Sequence, residues 1–182
     1  MAQPNHTSCT TVSRRHWLAG LVAVAAVPAL GGCGFKLRQA PTFAFQTLVA
    51  PLPDGSPLRR ELRQALVAAG IQVLDAMPPP GSTTRVDAVL EVLADQREKS
   101  VVGSTAAGQV REFQLRTRFR FRFGTPKGKV LIDDSEILLQ RDISYSETLA
   151  LSKAEEEALL YRDMQTDIVQ QLLRRLAAVR SL

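Results

Sequence analysis

A segment typical of a β-strand runs from Arg111 to Phe123, and its side chains alternate strictly in type from Glu112 onward. From there the odd positions are apolar residues or threonine, and the even positions are polar or charged. They are Glu112, Gln114, Arg116, Arg118, Arg120 and Arg122. Successive side chains of a β-strand point to opposite faces, so this segment predicts a strand with one buried and one polar face. Any fold for this chain must therefore cover one side of a sheet and leave the other side polar.

Other segments predict strands beside this one, because they alternate or form short apolar runs. We expect them at 43–50, 71–74, 85–99 and 129–145. In 85–99 the alternation puts Asp87, Glu91 and Asp95 on the polar face. In 129–145 the apolar phase changes, which predicts a bulge near Asp133. Residues 100–109 predict a hairpin connection.

Two segments have helical periodicity. Ser56 and Pro57 are typical of a helix start and Gly70 of a position just past a helix end, which predicts a helix over 57–69. Ser152 and Glu155 match a capping box for a second helix ending near 178, with Glu155–Glu157 in its first turn. Together the elements predict an α+β two-layer sandwich, with two helices packed on one face of a mixed sheet of about four strands.

The first 32 residues predict a lipoprotein signal peptide. Arg14 and Arg15 precede an Ala/Val/Leu-rich run of about a dozen residues, shorter than the roughly 20 that a membrane-spanning helix needs. The run ends in Leu30–Cys33 (Leu-Gly-Gly-Cys), a lipobox in which Cys33 becomes the acylated N-terminus. A cleaved signal with a chance cysteine and a short uncleaved anchor are the alternatives. The arginine pair fits either twin-arginine or general secretory export.

The predicted organisation is therefore a signal peptide at 1–32, a lipidated tether at 33–42 and one domain at 43–182. Several acyl chains on Cys33 would attach the protein stably to a membrane. Gly34 follows the lipidated cysteine where an aspartate commonly retains lipoproteins in the inner membrane. We therefore expect an outer-membrane location on the periplasmic face.

Cleavage before Cys33 would leave a domain without histidine, since His6 and His16 both lie in the leader, and with Cys33 as its one cysteine. That composition excludes disulfides within the domain, Cys/His metal sites and Ser-His-Asp or Cys-His catalysis. We expect no catalytic residue, no metal and no cofactor besides the lipid on Cys33. A carboxylate-dependent hydrolase stays as an alternative that needs two converging acids.

The arginine row, defined as Arg116, Arg118, Arg120 and Arg122, has two interpretations. Guanidinium groups about 6.6 Å apart along one strand face could hold the phosphates of an anionic ligand. They could equally pair with acids on neighbouring strands, for which the sequence offers six candidates: Asp87, Glu91, Asp95, Asp134, Glu136 and Asp142. A nucleic-acid partner is not expected, because this face has no stacking aromatics and the domain would be exported. Lys153 is a further candidate cation, with an ordinary solvated lysine as the alternative.

Several stretches, in this order along the chain, resemble the LptE family of lipopolysaccharide (LPS)-assembly lipoproteins. The stretches are Leu30–Arg38, Pro57–Asp75, Gly108–Leu115 and Leu149–Lys153. The resemblance implies two helices on a four-stranded sheet, a plug inside the outer-membrane β-barrel LptD, and LPS binding through basic residues. It also implies Lys153 as an LPS contact. The hairpin around Thr105–Ala107 has no basic residue, and Arg111 is the nearest substitute. An accessory lipoprotein of another envelope lipid-transport system is the alternative function.

Overall fold

The structure is a computed structural model, and it describes residues 41–182. The predicted signal peptide with Arg14 and Arg15, the lipidation site Cys33 and most of the predicted tether lie outside the described residues.

The described residues form five strands and two α-helices. In chain order these are β1 (Thr47–Val49), α1 (Pro57–Ala68), β2 (Gln72–Leu74), β3 (Ala88–Ser104), β4 (Val110–Gly124), β5 (Val130–Ser144) and α2 (Ala150–Ala178), with a short 3₁₀ turn (Glu147–Leu149) before α2.

The strands make one mixed sheet in the order β2-β1-β3-β4-β5. The short strand β1 pairs in parallel with both β2 and β3, while the long strands β3, β4 and β5 form an antiparallel meander. The helix α1 connects β1 to β2, as a parallel pair requires. The predicted α+β class is confirmed, with five strands in place of about four.

Both helices cover the same side of the sheet, which we call the helix side; the opposite side is the far side. The odd positions of β4 are buried here, and Phe119, Phe121 and Phe123 are fully inaccessible. Leu62 and Leu66 of α1 and Leu172 of α2 pack in the same apolar cluster. Burial of this much apolar surface is the main force holding the two layers together.

The end of α1 agrees with the prediction. Gly70 has a φ of +82°, and the Gly70 and Ile71 amides donate to the carbonyls of Val67 and Leu66. This is a Schellman motif, which glycine enters without the steric cost that a Cβ would add.

The start of α2 differs from the prediction. The helix begins at Ala150, and the Ser152 hydroxyl donates to the Leu149 carbonyl oxygen at 2.9 Å instead of capping an amide. A 3₁₀ turn before the helix moves its start upstream, so Glu155–Glu157 lie in the second turn. The expected capping box is therefore wrong.

The β3–β4 hairpin is longer than predicted. Strand β3 continues to Ser104, and only Thr105–Gln109 form the turn. The prediction of a connection over 100–109 was too wide, because residues 100–104 continue the strand. Gly103 lies within the strand, where its missing Cβ would come within 3.0 Å of the Glu112 Cβ.

A bulge in β3 changes which side its later residues face. Val92 pairs with Phe121 but Ala94 pairs with Arg120, so Leu93 is an extra residue with no partner of its own. From this point Asp95 lies opposite Phe119, on the helix side, and not on the polar face as predicted. A one-residue shift exchanges the two faces of a strand. The second bulge, predicted near Asp133, is confirmed by the register shift in β5.

Candidate anion-binding site

The arginine row lies on the far side of the sheet, as the alternation of β4 predicts. Three of its four members pair with carboxylates on the flanking strands. Arg120 makes a two-point ion pair with Asp134, in which Nε donates to Oδ1 at 3.2 Å. Arg118 Nε lies 3.6 Å from a Glu136 oxygen.

Arg122 lies between two acids. Its Nη1 is 3.5 Å from Glu91 on β3, and its Nε is 3.5 Å from Asp133 at the β5 bulge. Among the described residues Arg118, Arg120 and Arg122 therefore belong to a cross-strand charge ladder. Such pairs stabilise a sheet by about 0.2–1 kcal/mol each.

The ladder changes the ionisation of its closest pair. The hydrogen bond from Arg120 lowers the pKa of Asp134, and Asp134 in turn raises the pKa of Arg120. Both groups thus remain charged over the whole neutral range. An external anion that reached Arg120 would have to compete with a carboxylate already bound there.

Three acids expected in the ladder are placed elsewhere. Asp142 accepts a hydrogen bond from the Gln114 side chain at 3.1 Å. Asp87 precedes β3, and its Oδ2 accepts hydrogen bonds from the Gln46 and Thr47 amides at 3.0 and 3.1 Å. Asp95 faces the helices because of the bulge, and it accepts a hydrogen bond from the Ser56 hydroxyl at 2.7 Å. Asp87 and Asp95 therefore fix the chain around β1 and α1 and do not pair with the arginine row.

Arg116 is the member of the row that makes no ion pair among the described residues. Its Nε donates to Gln114 at 2.9 Å, and its cross-strand neighbours are Glu98 and Gln140. Arg111 is exposed at the start of β4, where its carbonyl accepts the Tyr145 amide. These two guanidinium groups are thus more available to an external anion than the three in the ladder.

Lys153 lies in a cleft of about 130 Å³ between the first turns of α2 and the end of the sheet. Its ammonium group donates to the Ser144 hydroxyl at 3.0 Å and to a Glu156 oxygen at 2.8 Å. The floor of the cleft is aromatic and apolar, with Phe113 and Tyr145 in edge-to-face contact at 5.2 Å. Lys153 is therefore part of a formed site and is not an isolated surface charge.

Lys99 enters the same cleft from β3, and the sequence did not single it out. Its ammonium group lies 2.6 Å from Glu157 and 4.2 Å from the centre of the Phe113 ring. The bulge at Leu93 is what turns Lys99 toward α2. The sequence does contain a signal for this bulge. The alternation is interrupted there by three consecutive apolar residues, Val92, Leu93 and Ala94.

Large apolar side chains are exposed around this cleft. Leu149 and Leu151 flank Ala150, which lines it, and Leu151 is 87% exposed. Val101, 53% exposed, is the cross-strand partner of Phe113. The cleft thus combines two cations with nearby uncovered apolar surface, an arrangement that suits an amphiphilic anion.

A wider depression of about 400 Å³ lies at the opposite end of the sheet. Arg122 and Lys129 contribute charge, and Met77, Val89 and Val130 contribute apolar surface. Lys153 and Arg111 lie toward the other end of the sheet from Arg122, so the predicted cations do not converge on one site.

A family model described as "LptE: Lipopolysaccharide-assembly" matches residues 41–176, about three quarters of the chain. The chain belongs to the LptE family. The match extends from the first described residues to the last turn of α2. The cleft at Lys153 and the whole five-stranded sheet therefore lie within the part of the chain that matches the LptE family.

Similar proteins support the assignment of this chain to the LptE family. The chain is similar to the LPS-assembly lipoprotein LptE of Pectobacterium atrosepticum, with 28% identity over 170 residues, which cover 91% of this chain and 88% of the relative. The solution structure of lipoprotein B from Nitrosomonas europaea is 31% identical, with a TM-score of 0.65, and the match covers 80% of this chain and 91% of that one.

A crystal structure of rare lipoprotein B from Shewanella oneidensis shares the fold. It is 24% identical with a TM-score of 0.59, and the match covers 72% of this chain and 94% of that one.

Within residues 41–182, neither helix has the combination of length and apolar composition that a membrane-spanning helix requires.

Proposed function

We propose that this LptE-family chain is a non-catalytic outer-membrane lipoprotein that partners an LptD-like β-barrel and binds LPS during its assembly into the outer leaflet. Family membership supports LPS assembly over the other envelope lipid-transport systems that the sequence alone left open. The lipid on Cys33 would hold the domain at the periplasmic face of the membrane.

The cleft at Lys153 carries the LPS part of the proposal. LPS joins phosphate groups to acyl chains, so it needs cations beside apolar surface. Lys153 supplies charge inside the cleft, and Arg111 supplies a second, exposed cation near the same end of the sheet. The exposed side chains of Leu149 and Leu151 supply apolar contact. Arg118, Arg120 and Arg122 are assigned to the charge ladder, and Arg116 remains a secondary candidate contact.

The partner and the ligand can be tested in one experiment. The tagged full chain is purified from detergent-solubilised outer membrane after crosslinking, and both the partner masses and the bound LPS are measured. We expect a large barrel protein in stoichiometric amount. We expect Lys153→Ala to reduce bound LPS about three- to tenfold, because charge-assisted contacts to phosphate are lost.

Lys127→Ala is the matched control, since Lys127 is exposed in the β4–β5 turn, at the opposite end of the sheet. It should leave both measurements unchanged. Absence of any barrel would refute the partnership. Equal LPS in the Lys153→Ala and Lys127→Ala proteins would refute the assignment of Lys153.

A further inference from the structure

Two lysines from different elements meet in the cleft. Lys99 comes from β3 and Lys153 from the first turns of α2, and both line the same space of about 130 Å³. They are partly covered, with 37% and 18% of their side chains exposed. Charges that are partly removed from water attract an anion more strongly than fully solvated ones.

Each lysine is already neutralised by an acid of α2. Glu157 binds Lys99 at 2.6 Å and Glu156 binds Lys153 at 2.8 Å. The two acids are consecutive in sequence, yet they serve different lysines. The cleft therefore holds two cations whose charge is cancelled by two carboxylates of the protein itself.

We propose that Lys99 and Lys153 form a two-point phosphate site, and that Glu157 and Glu156 are internal competitors that a phosphate-bearing amphiphile must displace. This inference rests on the proposed function and adds to it a further binding residue, Lys99, and a restraint on affinity. An arriving phosphate exchanges one ion pair for another, so it gains less than it would at two free lysines. The same exchange lets the ligand leave easily, as a protein that passes its ligand onward requires.

The apolar surroundings select the ligand class. Phe113 and Ile143 line the cleft, and the exposed Leu151 follows Ala150 at its edge. Inorganic phosphate would meet only the two lysines, whereas a phosphorylated lipid would also bury acyl chain against these side chains. The expected ligand is therefore a phosphate group attached to acyl chains.

The acids give the sharpest test. Glu156→Gln and Glu157→Gln are made in the full chain, and the Kd for purified LPS is measured in detergent by fluorescence titration. Each should bind LPS about two- to fivefold more tightly, the range expected for one partly exposed ion pair. Glu155→Gln is the matched control: it removes the same charge from the neighbouring acid Glu155, which makes no ion pair among the described residues, and it should change the Kd far less.

Combining the variants tests which acid blocks which lysine. Lys99→Ala should weaken LPS binding about three- to tenfold. It should abolish the gain from Glu157→Gln and leave the gain from Glu156→Gln intact. Lys153→Ala should do the reverse. This crossed pattern depends on the two specific ion pairs, and a general change of net charge would not produce it.

Two further ligands separate the sources of phosphate. Dephosphorylated LPS should bind Glu157→Gln no better than the unmodified chain, and inorganic phosphate alone should bind at least tenfold more weakly than LPS. Gains that are equal for Glu155→Gln and Glu157→Gln, or that persist with dephosphorylated LPS, would overturn the inference. If the chain binds no LPS at all, the proposed function fails first. If Lys153→Ala weakens binding but Lys99→Ala does not, only this inference fails.

Discussion

Tyr161 joins α2 to the sheet through one hydrogen bond. Its hydroxyl donates to the Glu98 carbonyl of β3 at 2.9 Å, and the Arg97 guanidinium lies 5.3 Å from the centre of its ring. Burial raises the pKa of Tyr161 above its ordinary value of 10.0, and the Glu157 carboxylate acts in the same direction. The folded protein therefore keeps this phenol protonated at a pH where the unfolded chain has begun to lose the proton.

Stability should consequently fall as pH rises through the tyrosine range. The unfolded chain binds fewer protons than the folded one once pH exceeds about 10, and the free energy of unfolding then decreases with pH. The part due to Tyr161 is the difference from Tyr161→Phe, measured by urea unfolding at about pH 8.5, 10 and 11. At pH 8.5 the free energy of unfolding of the Tyr161→Phe protein should be about 0.5–1 kcal/mol lower, because the variant lacks the hydrogen bond. At pH 11 the difference should be smaller. A constant difference between the two proteins would contradict this.

At the scale of an element, the β4–β5 turn depends on a residue without a side chain. A Cβ on Gly124 would lie 2.7 Å from the Lys129 carbonyl oxygen, closer than two such atoms can approach. That oxygen also accepts the Thr125 amide at 2.9 Å, so it cannot move without breaking the turn.

Gly124→Ala should therefore lower the free energy of unfolding by about 1–3 kcal/mol, measured by chemical denaturation. Gly55→Ala is the matched control: an added Cβ there meets nothing within 4 Å, and the change should stay within about 0.5 kcal/mol. Equal effects at the two positions would show that the close contact at Gly124 does not determine the cost of the substitution.

The elements also show what a sequence can and cannot predict here. The burial of β4 followed directly from its alternation, and the ends of α1 from Pro57 and Gly70, because these signals are local. Ser56 precedes the helix as predicted, but its hydroxyl donates to Asp95 and does not cap an amide. The start of α2 did not follow, since the 3₁₀ turn at Glu147–Leu149 competes with the Ser152 capping box and local pattern cannot rank the two.

The site was predicted in part for the same reason. Lys153 follows from the resemblance to a family, while Lys99 needs knowledge of which side of β3 it faces. That side is set by the bulge at Leu93, which depends on pairing with a strand about 30 residues away. Non-local pairing of this kind is not encoded in the period of a single segment.

At the scale of the whole molecule, the proposal depends on attachment to the membrane at Cys33. If acyl chains on this residue provide the anchor, Cys33→Ala should move the protein from the membrane pellet to the soluble fraction after cell breakage. Cys9→Ala, in the predicted leader, is the control and should leave the protein in the pellet. The fractions are compared by immunoblotting. Membrane retention of the Cys33→Ala protein would point to an uncleaved anchor.

The extra residue at Leu93 has a consequence for comparing this chain with its relatives. In a homologue whose β3 lacks the insertion, a lysine aligned with Lys99 by counting would emerge on the arginine-bearing surface, away from α2. Two lysines that are aligned in sequence would then lie on opposite sides of the sheet. Transferring a ligand contact between members of the family therefore requires that the strand phase on both sides of position 93 be matched first.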